Sequence, residues 1–416
     1  MKDTTITGLD VGSSAIRAVV CQIFEEGTEK KLQVIGAAEH PAEGVNKGSI
    51  TSIDDAAASI SACLEKAERM SGIPIESAWI GISGIHIVSQ ACRGIIAVGK
   101  VNGEISKSDV ERALDSARTI ATPPNHEILH VIPRSSIIDG QISTKDPIGM
   151  TGSRLEVDAL VIQGFAAEIR NFTKCIYRTN LEIEDLVFSI LATGEAVLTN
   201  KQKELGVVLI NIGAATTSMI VYEEGEVLHT AVIPMGSDHI TSDIAIGLRI
   251  SIELAEKIKL EYGELLARET PKKGDINLSE FDAMEEGSVS AKYVHQIIEA
   301  RVEEIFDKIE HELKRIGRSG ILPGGAILTG GGSKLSGIVD IAKKRLKLPV
   351  AYATLRNVIN VIDRVQDQTF ITGMSIANWG LIMHQQRHHG NRSFLSMETT
   401  FDIRSRVKKL FKSLLP

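Results

Sequence analysis

The sequence predicts an α/β chain of two similar lobes, each carrying a hairpin that turns on small residues. Three observations predict it. At 416 residues the chain exceeds the usual size of one hydrophobic core. "LDVGSSAIRAVV" (9–20) is echoed by "INIGAATTSMIVY" (210–222), with Asp10 against Asn211, Gly12 against Gly213 and Ser14 against Ala215. Apolar strand-like runs and amphipathic helix-like runs succeed one another through both halves.

Taken in order, residues 6–38 read as three strands with a charged turn, "EEGTEKK", and 52–72 as an amphipathic helix between a Ser/Asp start and a Gly stop. "SAWIGISG" follows as a strand. Residues 84–160 read as an inserted unit, with strands around 85–100, a helix at 106–121 and strands from 127. "VDALVIQGF" returns to the first lobe, residues 1–83 and 161–204, and a helix near 166–179 follows. The second lobe takes 205–238 and 318–384. Between them, 239–317 is helical and charge-dense, with a surface loop at "RETPKKGDINLSE". Residues 385–402 read as a linker and 403–416 as a terminal helix. His384, His388 and His389 suggest a metal site, but with no cysteine or carboxylate nearby they read as solvated linker.

The totals exclude several functions. The net charge is −7, and the last fourteen residues carry five basic side chains and no acidic one, which leaves −12 on the body. Such a body is a poor nucleic-acid binder, and 4% aromatic residues make no stacking platform. Four scattered cysteines without a CxxC pair argue against zinc and disulfides. Neither a signal peptide nor a bilayer-spanning run is expected. "GIIAVGKV" (94–101) mimics a P-loop, but Val101 stands where Ser or Thr is required, and the stretch is strand-like.

The paired turns point to phosphate. Small residues let backbone N–H groups approach an anion. Ser13, Ser14, Thr216 and Thr217 add hydroxyl donors, beside Gly213, Ala214 and Ala215. "GGAILTGGGSKLSGIVDIAKKRL" (324–346) is a strand, a triple-glycine turn (Gly330, Gly331, Gly332, then Lys334) and a helix, suited to flat contact with a base or ribose. Asp10 is the candidate to hold magnesium, directly or through water. Arg17 reads equally as a phosphate contact or a surface charge. Glu256 and Lys259 share one helix face and also read as a solvent-facing ion pair.

The order of hairpin, second hairpin and "LTGGGSKLSG" resembles the actin, Hsp70 and sugar-kinase superfamily. "ILHVIPRSSIIDGQ" (128–141), "DPIGMTGSRLEVDALVI" (146–162), "HTAVIPMGSDHITSDIA" (229–245) and "AEKIKLEYG" (255–263) resemble the bacterial cell-division family FtsA over nearly the whole chain. The resemblance implies an actin-like, two-lobed, duplicated ribonuclease H-like fold. It makes 84–160 the FtsA-specific subdomain 1C, used in self-association and contacts with other division proteins. The lobes become subdomains 1A and 2A, and 239–317 becomes 2B. It also implies ATP with Mg2+, ribose and adenine contact by Glu256 and Lys259, and docking of the FtsZ C-terminal peptide on 239–317. There Arg301 would meet an acidic group; Arg301 also reads as an intrahelical partner of Glu304.

The second hairpin departs from that family. Asn211, Ala214–Ala215 and Ser218 stand where relatives usually carry Asp, Gly-Gly and Asp. A catalytic role is therefore expected of Asp10 and only weakly of Asn211. Ser189 stands where hydrolysing relatives keep a water-placing side chain. Hydrolysis is expected to be slow or absent.

The tail sorts by helical angle. Ile403, Val407, Leu410, Phe411, Leu414 and Leu415 share one arc. Arg406, Lys408, Lys409 and Lys412 cover the other side, and Arg404 at the apolar edge must snorkel. That is the pattern of a helix lying on an anionic membrane, although a docked terminal helix or a partner-binding helix shares it. One such helix holds weakly, so filament formation would add the tails together. The expectation is an FtsA-like adaptor that polymerises at the division septum, on the cytosolic face of the inner membrane, and holds FtsZ there. A pilus-type actin-like assembly protein and a small-molecule kinase are the alternatives.

Overall fold

A computed structural model of the protein describes residues 5–26, 29–100, 102–265, 274–281, 287–356, 358–359 and 363–389. The predicted tail, 403–416, and most of the predicted linker lie outside them.

Three antiparallel strands open the chain: β1 (Thr5–Val11), β2 (Ala15–Glu26) and β3 (Glu29–Pro41). The short pair β4 (Val45–Asn46) and β5 (Ser49–Ile50) follows. Helix α1 (Ile53–Ser71) starts where the Ser52 hydroxyl accepts from the Asp55 N–H, and stops at Gly72 in the left-handed region. Ala56, Ile60, Cys63, Leu64 and Ala67 form its buried face. Strand β6 (Ser77–Ile82) then pairs in parallel with β1.

The insertion builds its own antiparallel sheet from β7 (Ile87–Ala97), β8 (His126–Ile138), β9 (Ile142–Thr144) and β10 (Arg154–Phe165), in the order β7-β10-β8-β9. Helix α2 (Lys107–Ala121), started by a Ser106–Asp109 capping box, packs on that sheet. The two close a separate core around Leu114, Val131, Leu155 and Val157. The P-loop mimic lies here: Gly94–Ala97 pairs with Arg154–Val157.

The chain returns through α3 (Ala166–Tyr177), β11 (Glu182–Phe188), α4 (Ser189–Val197) and α5 (Asn200–Leu205). The second lobe follows with β12 (Val207–Ile212), β13 (Thr217–Glu223), β14 (Glu226–Ile233), α6 (Ser237–Leu248) and α7 (Ile252–Tyr262). Next come β15 (Asp275–Asn277), β16 (Ser288–Ser290), α8 (Ala291–Arg315), β17 (Ala326–Thr329), α9 (Ile338–Leu346) and β18 (Val350–Tyr352). Strand β19 (Val358–Ile359) and helix α10 (Ile371–His389) end the described chain.

The sequence echo is a structural duplication. The first sheet runs β11-β6-β1-β2-β3-β19 and the second β14-β13-β12-β17-β18. Read as β3-β2-β1-β6-β11 against β14-β13-β12-β17-β18, each has two antiparallel pairings followed by two parallel ones. Asp10 pairs with Arg17, and Asn211 with Ser218, at the same place in each hairpin. Strand β12, "VVLINI", is apolar except for Asn211 at its cleft end, because both its faces are covered. Val208 and Ile210 face the helices of the second lobe, while Val207 and Leu209 join the core shared with the first.

Three expectations need correction. Residues 318–384 do not all close the second lobe: β19 pairs with β3, and α10 packs on β1, β2, β6 and α4. Phe370, Met374, Ala377 and Trp379 are buried in the first lobe's core, which draws the helix there. The linker expected from 385 begins as helix, since α10 runs to His389; among the described residues no metal-holding cluster occurs. The loop expected at 268–280 contains strand β15, paired with β16, and a 3-10 turn at Leu278–Glu280.

Candidate functional site

A cleft of about 630 Å³ opens between the lobes, a size typical of small-ligand sites. Both hairpin turns face it, and they are built alike. The Gly12 N–H donates to the Ala15 carbonyl at 3.2 Å, and the Gly213 N–H to the Thr216 carbonyl at 2.9 Å. A Cβ at Gly12 or Gly213 would meet that same carbonyl at 2.8 or 2.9 Å. All the residues expected to contact nucleotide line this cleft except Thr217, which is buried and donates its hydroxyl to the Met235 carbonyl at 2.8 Å.

Asp10, next to the last residue of β1, lines the cleft, and burial pushes its pKa up to about 6, tempered by the charge of Arg17. Arg17 lines the cleft but is already held: its Nε donates to Glu39 at 2.7 Å, and its guanidinium lies 5.8 Å from the Phe370 ring centre. It is not a loose surface charge: Glu39 holds it at the cleft wall. Asn211 donates from Nδ2 to the Thr372 hydroxyl at 3.0 Å, so its amide is tied to α10.

On the opposite wall, Lys259 is buried and reaches Glu256 at 2.6 Å and the Thr241 hydroxyl at 2.9 Å. The pair is therefore part of the cleft wall, not a solvent-facing couple. The triple glycine is followed by a 3-10 turn, Gly331–Lys334, and α9 starts only at Ile338. A Cβ at Gly330 would fall 2.2 Å from Asn211 Oδ1, and one at Gly332 2.4 Å from the Ile212 side chain. These two glycines let the turn approach β12; Gly331 alone has room. Lys334 pairs with Asp367 at 2.6 Å.

Sequence reasoning missed the support behind the second turn. Ser237 N–H and Asp238 N–H donate to the carbonyls of Gly213 and Ala214, each at 2.9 Å, so the start of α6 grips that turn. "GSD" before an apolar helical run was the available signal. Nothing local announced Thr372 or Asp367, which come from the far end of the chain. Arg301 lies elsewhere, on α8. It forms a fork with Asp243 at 2.6 and 2.9 Å, and its Nη1 reaches Glu304 at 2.6 Å. The Glu304 contact was one of the two readings of Arg301; the bidentate partner Asp243 was not anticipated.

Comparison with known proteins follows this geometry. Residues 208–375 match the family model "Cell division protein FtsA", and 84–163 match "SHS2 domain inserted in FTSA". Cell division protein FtsA of Pseudomonas aeruginosa is 35% identical over 376 residues, covering 90% of this chain and 89% of its own. The chain belongs to the FtsA family of cell division proteins. FtsA of Bacillus subtilis is 36% identical over 88% of this chain and 81% of its own length. FtsA of Escherichia coli is 26% identical over 97% and 96%. The FtsA-family fold is actin-like. The PilM–PilN type IV pilus biogenesis complex superposes with a TM-score of 0.66 at 16% identity, covering 90% of this chain and 98% of that one. MreB 5 of Spiroplasma citri bound to AMPPNP superposes with 0.55 at 12% identity, covering 93% and 99%. Among the described residues no helix is long and apolar enough to cross a membrane.

Proposed function

We propose that this FtsA-family chain binds ATP between its lobes, self-assembles, and tethers FtsZ filaments to the cytosolic face of the inner membrane at the septum. The observation that carries the reading is the pair of matched turns opening on one cleft, with Asp10 at the first and the start of α6 behind the second. The turns present backbone N–H groups to phosphates. Glu256, Lys259 and the Gly330–Gly332 turn enclose the ribose and adenine. A carboxylate that burial holds near 6, only partly compensated by Arg17, suits a nearby cation. Asp10 would hold Mg2+ through water, and the cation would neutralise phosphate charge.

Turnover is slow or absent on this reading. Among the described residues lining the cleft there is no histidine, and Asn211 brings an amide where a carboxylate would organise water. Nucleotide then serves assembly, and assembly gathers the weak 403–416 helices into a firm hold. The insertion takes contacts with other division proteins, and 239–317 takes the FtsZ C-terminal peptide. Cosedimentation of the full chain with anionic vesicles, with and without ATP and that peptide, tests this. Vesicle binding should rise with ATP and vanish on deleting 403–416. Unchanged binding after the deletion would sink the membrane assignment.

A further inference from the structure

Strand β14 is an outer edge of the second sheet, so one row of its backbone groups finds no strand partner there. The insertion covers that row with side chains. Ser89 Oγ on β7 donates to the Thr230 carbonyl at 3.0 Å, and Arg134 Nη2 on β8 to the Leu228 carbonyl at 2.6 Å. Leu228 and Thr230 are two positions apart, so both carbonyls leave the strand on one side. Lys145, just past β9, donates to the Glu224 carbonyl in the turn before β14. Three separate parts of the insertion thus converge on one hairpin of the second lobe.

What the joint buries works against these bonds. Between the two surfaces runs a crevice of about 450 Å³, lined in part by Arg93, Arg134, Asp158, Glu223 and Glu226. Glu226 Oε1 is enclosed without a hydrogen-bond partner, and burial raises the Glu226 pKa. Burial also lowers that of Arg134. Both ions are partly stripped of water, so their desolvation opposes the three hydrogen bonds. A polar joint of this kind opens more readily than a packed core.

The insertion is also rooted at the interlobe cleft. The matched inserted domain begins at residue 84. Ser83, just before it, lines the cleft and meets Ser218 of the second lobe, hydroxyl to hydroxyl, at 3.1 Å. Gly48, also in the cleft wall, packs so closely on this root that a Cβ would fall 1.9 Å from the Ser83 carbonyl oxygen. The insertion therefore grows from the first lobe at the cleft and grips the second lobe at β14. The lobes cannot turn against each other without breaking that grip or moving the insertion.

We infer that the insertion is a latch between the lobes: its bonds to β14 hold the cleft in the arrangement seen, and opening the cleft frees the insertion from the second lobe. A nucleotide that favours the closed cleft then also favours the latched insertion; this part rests on the nucleotide reading of the cleft. Spin labels on Ser143→Cys in β9 and Lys343→Cys in α9 of the full chain report the separation, because both sites are exposed and the native cysteines are buried. The labelled parent should give one narrow distance by pulsed electron paramagnetic resonance. Arg134→Met, and the milder pair Ser89→Ala with Lys145→Ala, should lengthen or broaden it. Arg134→Met should also speed release of a fluorescent ATP analogue by at least about 10-fold, and the milder pair by at least about 3-fold. If Arg134→Met does not fold, the milder pair decides. Either readout left at the parent value overturns the latch. A parent chain that binds no nucleotide overturns the cleft assignment instead, and the label distances then decide the latch alone.

Discussion

His130 Nε2 accepts a hydrogen bond from the Phe188 N–H at 2.9 Å, which pins the inserted sheet to the residue before α4. His130 lies on β8 in the insertion, and Phe188 ends β11 in the first lobe. Both are buried. The contact runs from the insertion to the edge of the interlobe cleft through the His130 imidazole, which also meets the Trp379 ring edge-on at 5.8 Å.

Removing that acceptor should be costly. His130→Leu leaves a buried N–H without a partner and should lose about 1–3 kcal/mol of stability. His130→Gln keeps an acceptor and should lose less. Urea denaturation of both variants checks the order; equal losses would mean that ring packing, not the hydrogen bond, holds the contact.

Two buried groups give opposite pH dependences. Burial pulls the His130 pKa down to about 3, so its stabilising contribution is present above pH 6.5 and is lost as pH falls toward 3. Burial pushes Asp10 up to about 6, so its contribution is present below pH 3.8 and is lost as pH rises through 6. Between pH 4 and 6 the two oppose, each at up to roughly 1.4 kcal/mol per pH unit. Without nucleotide, Asp10→Asn should therefore raise stability at pH 7 by on the order of 3 kcal/mol, with the gain shrinking toward zero below pH 4. Denaturation midpoints at pH 4, 5.5 and 7 measure it. A gain that does not depend on pH would show that Asp10 is not the titrating group.

Gly236 joins β14 to α6 behind the second turn. A Cβ there would lie 2.4 Å from the Ala214 carbonyl and 2.5 Å from that of Gly213. Gly236→Ala should push the turn off α6 and weaken nucleotide binding by about 10-fold or more, with a stability loss of about 1–3 kcal/mol. Titration beside a melting curve separates the two effects. Full affinity in the variant would show that the grip of α6 on the turn does not matter for binding.

Much of this architecture was legible in the residues. Hairpin turns, helix caps and face alternation depend on neighbours a few positions apart, so the twin hairpins, α1 with its Ser52 and Gly72 ends, and the insertion's strand-helix-strand order could all be read locally. The site was legible to the same depth. Asp10, both turns and the Glu256–Lys259 pair carry local patterns, whereas Thr217 was misplaced because strand alternation beyond the turn sends its hydroxyl inward to Met235. The reason for Gly330 and Gly332 was also hidden: it lies in contact with β12, 118 positions earlier in the register of Asn211 with Thr329.

By itself, the amino-acid order determined the duplication, the insertion and the small-residue turns, because each is specified by short-range backbone preference and hydrophobic period. Only the folded chain decided that α10 serves the first lobe, that Arg17 belongs to Glu39 and Arg301 to Asp243, and that Asn211 is tied to Thr372. Those partners lie 22 to 161 residues apart. Their pairing depends on which surfaces meet once the cores close, and no local pattern encodes that choice.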